Sequence, residues 1–548
     1  VSRIEIIPLG GCGEIGKNMT AVRVDDGMIV IDAGLSFPSE EMHGVDVVIP
    51  DIEFLRQNRD SIRAIILTHG HEDHVGALSY VLSEISAPVF GTELTIAMAK
   101  RKLSEKLLPH EYDLKVMRPG EAFDIAEFTV EPIHVTHSIP DSCAIALHTE
   151  LGVVLFTGDF KFDFTPIDGQ LTQLSRFGEL GDKGVLILLS DCTNVENEGW
   201  CPSEKSVYEG FRRVIGNAPG RVLMTMFSSN LHRVRQAFEV AQEFGRKVAL
   251  AGRSMETNVK IAQNLDKLKL PKDVMIRLED VGDYAPEEVV ILTTGTQGEP
   301  LAALSRMARE EYSRLQIQPG DTVIYAAKPI PGNEAAIWQT VNRLFRQGAV
   351  VVYGSEEGVH VSGHGYREEL KMMINLTRPQ YIAPVHGEPR HQYHYVKLAE
   401  EMGYSEENII VMENGNRLVI EKDGAFFAEN VVCGRVLVDT SGYAGVSDET
   451  LRDRSNLASD GVLFVHVAID PDAGKVVGKP ELISRGMISP NGELDSLRDV
   501  LATMLDKLDH AELRDTSALH HEISDVARKF IKKATNKRPL VIASVIEV

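Results

Sequence analysis

Long apolar runs are missing from this chain: none of its 548 residues fall in a stretch of the roughly 18 consecutive apolar residues that a membrane-spanning helix needs. Cysteine is scarce. The five, at positions 12, 143, 192, 201 and 433, are scattered and form no CxxC pair. That spacing excludes a disulfide framework and a thiolate zinc site, and makes a reducing cytoplasm the simplest setting. Positive charge is short, with 57 Lys and Arg against 80 Asp and Glu and a net charge of −23. Phosphates are neutralised by Lys and Arg, so the average surface argues against a nucleic-acid partner and leaves only a local basic groove open. There is no repeat of 20–50 residues and no low-complexity tract. Val1 to Gly10 shows no charged-then-apolar leader, so no signal peptide is expected.

What is present reads as globular protein: 43% hydrophobic and 25% charged residues, with length enough for three or four domains at about 150 residues each. The first 200 residues alternate short strands with Gly-rich turns (Ile4–Pro8, Met19–Val24, Met28–Ile31 after an Asp26-Gly27 turn, Ala64–Thr68, Val130–Val135, Ala144–His148, Val153–Thr157, Val185–Ser190) and predict a helix from Asp73 to Glu84. This pattern predicts an α/β sandwich. From about Ser203 helical segments (Glu204–Ile215, Leu231–Phe244, Asn258–Leu265, Glu334–Arg346) alternate with buried strands (Arg221–Met226, Val248–Ala251, Val289–Thr293, Thr322–Ala326), as in an inserted doubly wound α/β unit. The strand-and-turn texture returns from about Val350 to Asn430. The expected division is 1–205 and 356–430 for the sandwich, 206–355 for the insertion, 431–459 for a linker and 460–548 for a small C-terminal α/β domain. In that last unit Leu494, Leu497, Leu501, Leu505 and Leu508 share one helical face, which serves either internal packing or assembly.

The strongest signal is Thr68-His69-Gly70-His71-Glu72-Asp73-His74-Val75-Gly76. Three histidines and an aspartate within six residues, right after an apolar strand, suit zinc, and also manganese or iron. The first two histidines are expected on a loop, while Asp73 and His74 open a helix and point to a second position. One loop then serves two ions about 3.5–4 Å apart, the spacing of two-metal hydrolases. Four ligands cannot complete two shells. The remote candidates are His137 (Thr136-His137-Ser138), Asp159 (Thr157-Gly158-Asp159) and His386 (Val385-His386-Gly387), each just past a strand.

These residues resemble the metallo-β-lactamase superfamily, with an early Asp (Asp32), the HxHxDH loop, a later His and a later Asp. The resemblance implies that His69, His71 and His137 hold one divalent ion, Asp73, His74 and His386 the other, and that Asp159 bridges them beside a shared hydroxide. Asp32 would orient the first histidines from behind. It also implies two ions per chain, zinc first and manganese second. Asp191 (Ser190-Asp191-Cys192), His364 (Ser362-Gly363-His364-Gly365) and His386, placed around an inserted α/β unit, match motifs A, B and C of the β-CASP nucleases. Within that group the chain is similar to the bacterial ribonuclease J family over almost its full length. Further matching stretches are Pro8 to Asn18, Phe227 to Asn230, Thr294 to Pro300 and Ile330 to Glu334; Cys192 stands where a serine is common.

The implied fold is a metallo-β-lactamase αββα sandwich with an inserted β-CASP domain and a C-terminal α/β domain. The implied activity is 5′-to-3′ exonuclease action favouring 5′-monophosphate RNA, plus endonuclease action, in rRNA processing and mRNA decay. Asp73, His74, Asp191 and His364 would carry catalysis, with His364 touching a phosphate oxygen and Asp191 orienting it or helping to deliver a proton. A 5′-phosphate pocket is expected at Ser228, Ser229 and Asn230, ahead of a helix, together with Ser362, Gly363 and His364; ordinary helix capping is the equal alternative for the two serines. Between Ser206 and Met275 there are twelve Lys and Arg against six Asp and Glu. This stretch either lines an RNA channel, with Arg233 and Arg253 in it, or forms solvated helix faces. Single-stranded RNA, a homodimer or homotetramer built through the C-terminal domain, and RNA-decay proteins are the implied partners, with no membrane. The alternatives are a β-CASP DNA nuclease, a non-nuclease hydrolase on the same metal scaffold, and a metal-free RNA-binding scaffold.

Overall fold

The structure is a computed structural model that describes residues 3–39, 41–105, 112–330, 333–354, 357–439, 445–487 and 492–548. Pro331 and Gly332 of the Ile330 to Glu334 stretch, and residues 440–444 of the expected linker, lie outside the described residues. The chain divides into two compact units, Val1–Ser36 with Val48–Val436, and Phe37–Val47 with Leu437–Val548.

In the larger unit two sheets face each other. One has the strand order Gly424–Ala428, Arg417–Glu421, Ile4–Gly10, Met19–Val24, Gly27–Ile31, Ile62–Ile66, Val89–Gly91 and Leu114–Val116. The other runs Tyr381–Val385, Val185–Asp191, Gly152–Phe156, Cys143–Thr149, Phe128–His134 and Phe123–Ile125. Side chains alternate across each strand. Ile4, Ile6, Ile29, Ile31 and Ile66 meet Val130, Ile145, Leu147, Val154, Phe156 and Leu189 between the sheets. Ile7, Leu9, Met28, Val30 and Ile65 turn the other way, onto Leu78, Val81 and Leu82 of the helix Leu78–Glu84. The outer face of the second sheet is covered by the helices Leu174–Lys183, Arg367–Thr377 and Pro389–Glu401. Both faces are therefore buried, which explains the nearly unbroken apolar runs in the sequence. The architecture is an αββα sandwich.

The chain leaves the sandwich after Val185–Asp191 and builds an all-parallel sheet ordered Met275–Ile276, Lys247–Ala251, Val289–Thr293, Val222–Thr225, Thr322–Tyr325 and Val350–Val352, with helices on both faces. It returns through residues 357–366, which form no strand.

Two local expectations change. The helix expected over Asp73–Glu84 is split into Glu72–Val75 and Leu78–Glu84, because the Ala77 N–H donates to the Ala33 carbonyl (2.8 Å) and not up its own helix. The first hairpin turns on Asp25 and Asp26, with Asp25 at φ +50°, and Gly27 already pairs with Val24.

The smaller unit has a three-stranded sheet, ordered Lys475–Arg485, Val462–Asp470 and Leu540–Glu547. Its buried face, Leu463, Val465, Val467 and Ile469, packs on Leu497, Leu501 and Leu505 of the helix Glu493–Leu505 and on Leu519, Ile523, Ala527 and Ile531 of the helix Thr516–Thr535. The leucine stripe thus serves internal packing, with Leu494 and Leu508 at its edge. Each such leucine, taken from water to the core, stabilises the unit by about 1.5–3 kcal/mol. The stretch expected as a linker contains the strand Arg435–Val438 and the 13-residue helix Asp448–Asp460.

Candidate metal centre

Six strands of the sandwich carry site residues at their C-terminal ends. Asp32 follows Gly27–Ile31, His69 and His71 follow Ile62–Ile66, and His137 follows Phe128–His134. Asp159 follows Gly152–Phe156, Asp191 ends Val185–Asp191 and His386 follows Tyr381–Val385. Gly152–Phe156, Val185–Asp191 and Tyr381–Val385 are parallel neighbours, so Asp159, Asp191 and His386 emerge at one edge.

The side chains converge in groups whose ligand-type atoms lie within 4.8 Å of one another: His69, His71, His137 and Asp159; Asp73, His74, Asp159 and His386; and Asp159, Asp191, His364 and His386. In the first group His71 Nδ1 is 3.0 Å from His69 Nε2 and 3.1 Å from His137 Nε2. Two nitrogens each about 2.0–2.1 Å from one zinc ion at a tetrahedral angle would stand roughly 3.3 Å apart. Asp159 Oδ2 serves both groups, at 3.7 Å from His69 Nε2, 3.8 Å from His137 Nε2 and 3.2 Å from His74 Nε2. In the second group His386 Nε2 is buried and stands 3.3 Å from Asp73 Oδ2, but among the described residues it makes no hydrogen bond of acceptable geometry. An orphaned buried nitrogen facing carboxylates is what a metal ligand looks like without its ion. The donors fit two divalent ions.

Electrostatics separate the two halves. Burial, aided by mutual repulsion among the imidazoles, holds His69 and His137 well below the usual histidine range and His71 at about 4. Burial thus favours the neutral imidazole, the form that binds a metal. Burial also opposes charge on His74 and His386, but the carboxylates win: Asp159, Asp32 and Asp73 hold His74 well above its ordinary value, and Asp159 and Asp73 raise His386 to about 10. Asp73, His74, Asp159 and His386 would hold a cation at this second position, where its charge would take the place of those protons beside the carboxylates.

The surrounding residues set these geometries. Asp32 sits at φ +62° and accepts from His74 Nδ1 (2.7 Å) and from the Thr68 N–H (2.8 Å). The expectation that it orients the first histidines is corrected: it holds His74 directly and reaches His69 only through the Thr68 hydroxyl (3.1 Å from His69 Nδ1). The reason is that His74 lies in the short helix Glu72–Val75 and turns its ring back towards the strand that Asp32 follows. His386 also has a left-handed backbone, φ +53°. That conformation costs on the order of 1–2 kcal/mol and is pinned by the His386 N–H to the Gly11 carbonyl (2.6 Å) and by Thr193 Oγ1 to the His386 carbonyl (2.8 Å). This gives the Gly-rich stretch after Pro8 its role: Gly11, at φ +85°, has Asn18 Oδ1 only 2.3 Å from where a Cβ would stand.

His364 Nδ1 lies 2.7 Å from Asp191 Oδ2, and His364 Nε2 lies 3.9 Å from Asp159 Oδ2. Burial opposes its charge, but Asp191 and Asp159 raise it above the ordinary value. His71, Asp73 and His364 are the cluster members only half buried, so the cluster reaches solvent on their side.

Ser362 and Gly363 lie beside the cluster. Ser362 Oγ accepts from Asn194 Nδ2 (2.6 Å) and from the His364 N–H (3.1 Å), so its own proton is available. The Gly363 carbonyl accepts from His137 Nδ1 (2.8 Å), and a Cβ there would stand 2.6 Å from His137 Cε1. Gly363→Ala is therefore expected to push His137 aside and lower metal content at the first position, with activity falling roughly 10–100-fold, as for other partners that orient a ligand. Metal analysis beside the unmodified protein checks this.

Ser228, Ser229 and Asn230 precede the helix Leu231–Glu243 of the inserted domain, where Asn230 caps the helix by accepting from the Arg233 N–H (3.2 Å) and Ser228 Oγ accepts from Asn258 (3.1 Å). Among the described residues no hydrogen bond joins these three to the cluster. Arg233 is corrected: it is 1% exposed, pairs with buried Glu204 and donates to the Ala326 and Val361 carbonyls, so it cannot line a channel. A desolvated guanidinium persists only when so fully paired. Arg253 is exposed at the start of the helix Arg253–Asn264. Much of the remaining positive excess is matched locally, Arg212 by Glu243, Arg213 by Glu357, and Arg235 by Glu239. Sequence reasoning gave no role to Thr68, Thr193 or Asn194, none of which carries a spacing signal of its own.

Comparison with known proteins accords with this geometry. The metallo-beta-lactamase superfamily model matches residues 12–238, the ribonuclease J beta-CASP domain 219–344, the Zn-dependent metallo-hydrolase RNA specificity domain 351–412 and the ribonuclease J C-terminal domain 449–548. Ribonuclease J of Thermus thermophilus is 40% identical over 553 residues, covering 99% of this chain and 95% of that protein. Ribonuclease J2 of Bacillus subtilis is 37% identical over 548 residues, covering 100% and 99%. A crystal structure of a protein of unknown function from Enterococcus faecalis shares the fold, with a TM-score of 0.53 at 15% identity over 76% of this chain and 100% of that one. With domain models of that family in succession along the chain, and relatives of this identity over its whole length, the chain belongs to the ribonuclease J family.

Proposed function

We propose that this protein degrades single-stranded RNA from the 5′ end, as a 5′-to-3′ exonuclease favouring a 5′-monophosphate, with additional endonuclease action, in rRNA processing and mRNA decay in the cytoplasm. Its family membership and metal-ready cluster make it a metal-dependent ribonuclease, and that cluster is the observation that carries the reading. Zinc is the proposed metal, on the strength of the five imidazoles; manganese is the second choice, on the strength of the carboxylates at Asp73 and Asp159. Assembly as a dimer or tetramer through the C-terminal unit, and association with RNA-decay proteins, are part of the proposal.

Two bound ions would supply an acidified water and would neutralise charge on the phosphoryl oxygens. His69, His71 and His137 would hold one, Asp73, His74 and His386 the other, with Asp159 common to both. The chain's own residues do the rest. His364 Nδ1–H donates to Asp191, and the Asp191 and Asp159 carboxylates raise the ring's proton affinity, which favours a role for Nε2 towards an anionic phosphate oxygen or the departing 3′-oxygen. The half-buried rim of His71, Asp73 and His364 admits the phosphodiester, while the buried ligands stay fixed.

The 5′-phosphate pocket is proposed at Ser228, Ser229 and Asn230 with the Ser362 hydroxyl, Gly363 and His364. The helix N-terminus after Asn230 and the free Ser362 proton support it. The solvent-facing Arg253 is proposed to touch the RNA backbone. The expected outcome is faster exonuclease action on 5′-monophosphate RNA than on 5′-hydroxyl or 5′-triphosphate RNA of the same sequence. Equal rates on all three would remove the pocket.

A further inference from the structure

The segment from Val361 to His364 belongs to no strand or helix, yet each of its four carbonyls is held by a different side chain. Arg233 donates to Val361 O (3.1 Å), Lys161 to Ser362 O (3.1 Å), His137 Nδ1 to Gly363 O (2.8 Å) and Asn194 Nδ2 to His364 O (3.1 Å). An irregular segment this tightly determined has one position, and His364 is its last residue.

Lys161 stands out among the four. It is 1% exposed, and burying an ammonium is costly unless its protons are satisfied. Its Nζ donates to Pro202 O (3.0 Å) as well as Ser362 O, with Asp163 Oδ2 at 3.9 Å. It lies two residues past the shared ligand Asp159. The same short loop is fixed at the Lys161 N–H, which donates to Thr136 O (2.9 Å) next to His137, and at Phe160 O, which accepts from the Gly365 N–H (2.7 Å) just past His364. The loop that carries Asp159 therefore grips the segment that carries His364 from both sides.

We infer that Lys161 is a positioning residue: by clamping the Ser362 and Pro202 carbonyls it sets the distance between His364 and the Asp159 carboxylate, and so acts on turnover through His364. This rests on the ribonuclease reading above. Lys161 touches neither substrate nor ligand atoms; its effect is geometric, and displacement of a reacting group by about 1 Å is enough to cost on the order of a hundredfold in rate.

The test uses the full-length, metal-loaded protein on 5′-monophosphate RNA. Lys161→Met keeps the length of the side chain and removes its donors. It is expected to lower kcat by roughly 10–100-fold, with KM and bound metal within about twofold of the unmodified protein. In a His364→Ala background the same change is expected to cost almost nothing further, because its effect passes through His364. Lys161→Gln, which keeps a neutral donor on a shorter stem, serves if Lys161→Met does not fold; a kcat-selective loss in the same direction is expected. Unchanged kcat in the folded variants, a loss that tracks metal content, or full additivity with His364→Ala would overturn the inference. An unmodified protein inert towards RNA would instead overturn the ribonuclease reading.

Discussion

Asp159→Ala is expected to abolish RNA cleavage, by on the order of a thousandfold or more, about 4 kcal/mol of transition-state stabilisation, and to empty the centre of ions. Asp159 is the one residue present in all three ligand-type groups, and its Oδ2 faces His69, His74 and His137 together. Its loss removes a ligand from both positions at once and also removes the main counter-charge of His386 and His74. Asp159→Asn keeps the shape and removes only the charge, so it is expected to behave as the alanine variant does. Metal content and cleavage rate, measured on the same preparations, check both. An asparagine variant with two ions and near-normal rate would show that the carboxylate is not the bridge.

His364→Ala is expected to give the opposite pairing: turnover falls roughly 10²–10⁴-fold, the range for a lost general acid–base group, while both ions stay. The ring is tied to Asp191 at 2.7 Å, is the most solvent-facing of the cluster's histidines that approach Asp159, and already has one nitrogen committed away from the metals. Because His364 also belongs to the third converging group, with Asp159, Asp191 and His386, loss of an ion in the alanine variant would reassign it as a ligand.

These expectations separate what is local in the chain from what is not. The His69-to-His74 loop is legible at once, because ligand-type residues are packed into six positions after an apolar strand. His137, Asp159 and His386 are legible more weakly, as chemistry-bearing residues at strand ends, and Asp191 only through the family resemblance; the sheet order brings Asp159, Asp191 and His386 to one edge. The partner of Asp32 is not legible: which histidine a carboxylate meets depends on how the loop turns, and the turn presents His74. Arg233 misleads for the same reason. On an amphipathic helix it reads as a surface cation, while its partners Glu204, Ala326 and Val361 lie far away in sequence. Lys161 and Gly363 act through backbone carbonyls, which leave no trace in residue type. The sandwich and the doubly wound insertion are legible from apolar runs and their punctuation, whereas the leucine stripe at 494–508 needed the structure to decide between its two uses.

The most direct measurement of the central claim is a metal titration. The protein is stripped with a chelator and reloaded stepwise with zinc or manganese; bound ions per chain and cleavage of 5′-labelled single-stranded RNA are followed together. The stripped protein is expected to cleave nothing, and activity is expected to rise as occupancy approaches two ions per chain. Cleavage that persists without ions, or a fully loaded protein that leaves RNA intact with either metal, would contradict the claim.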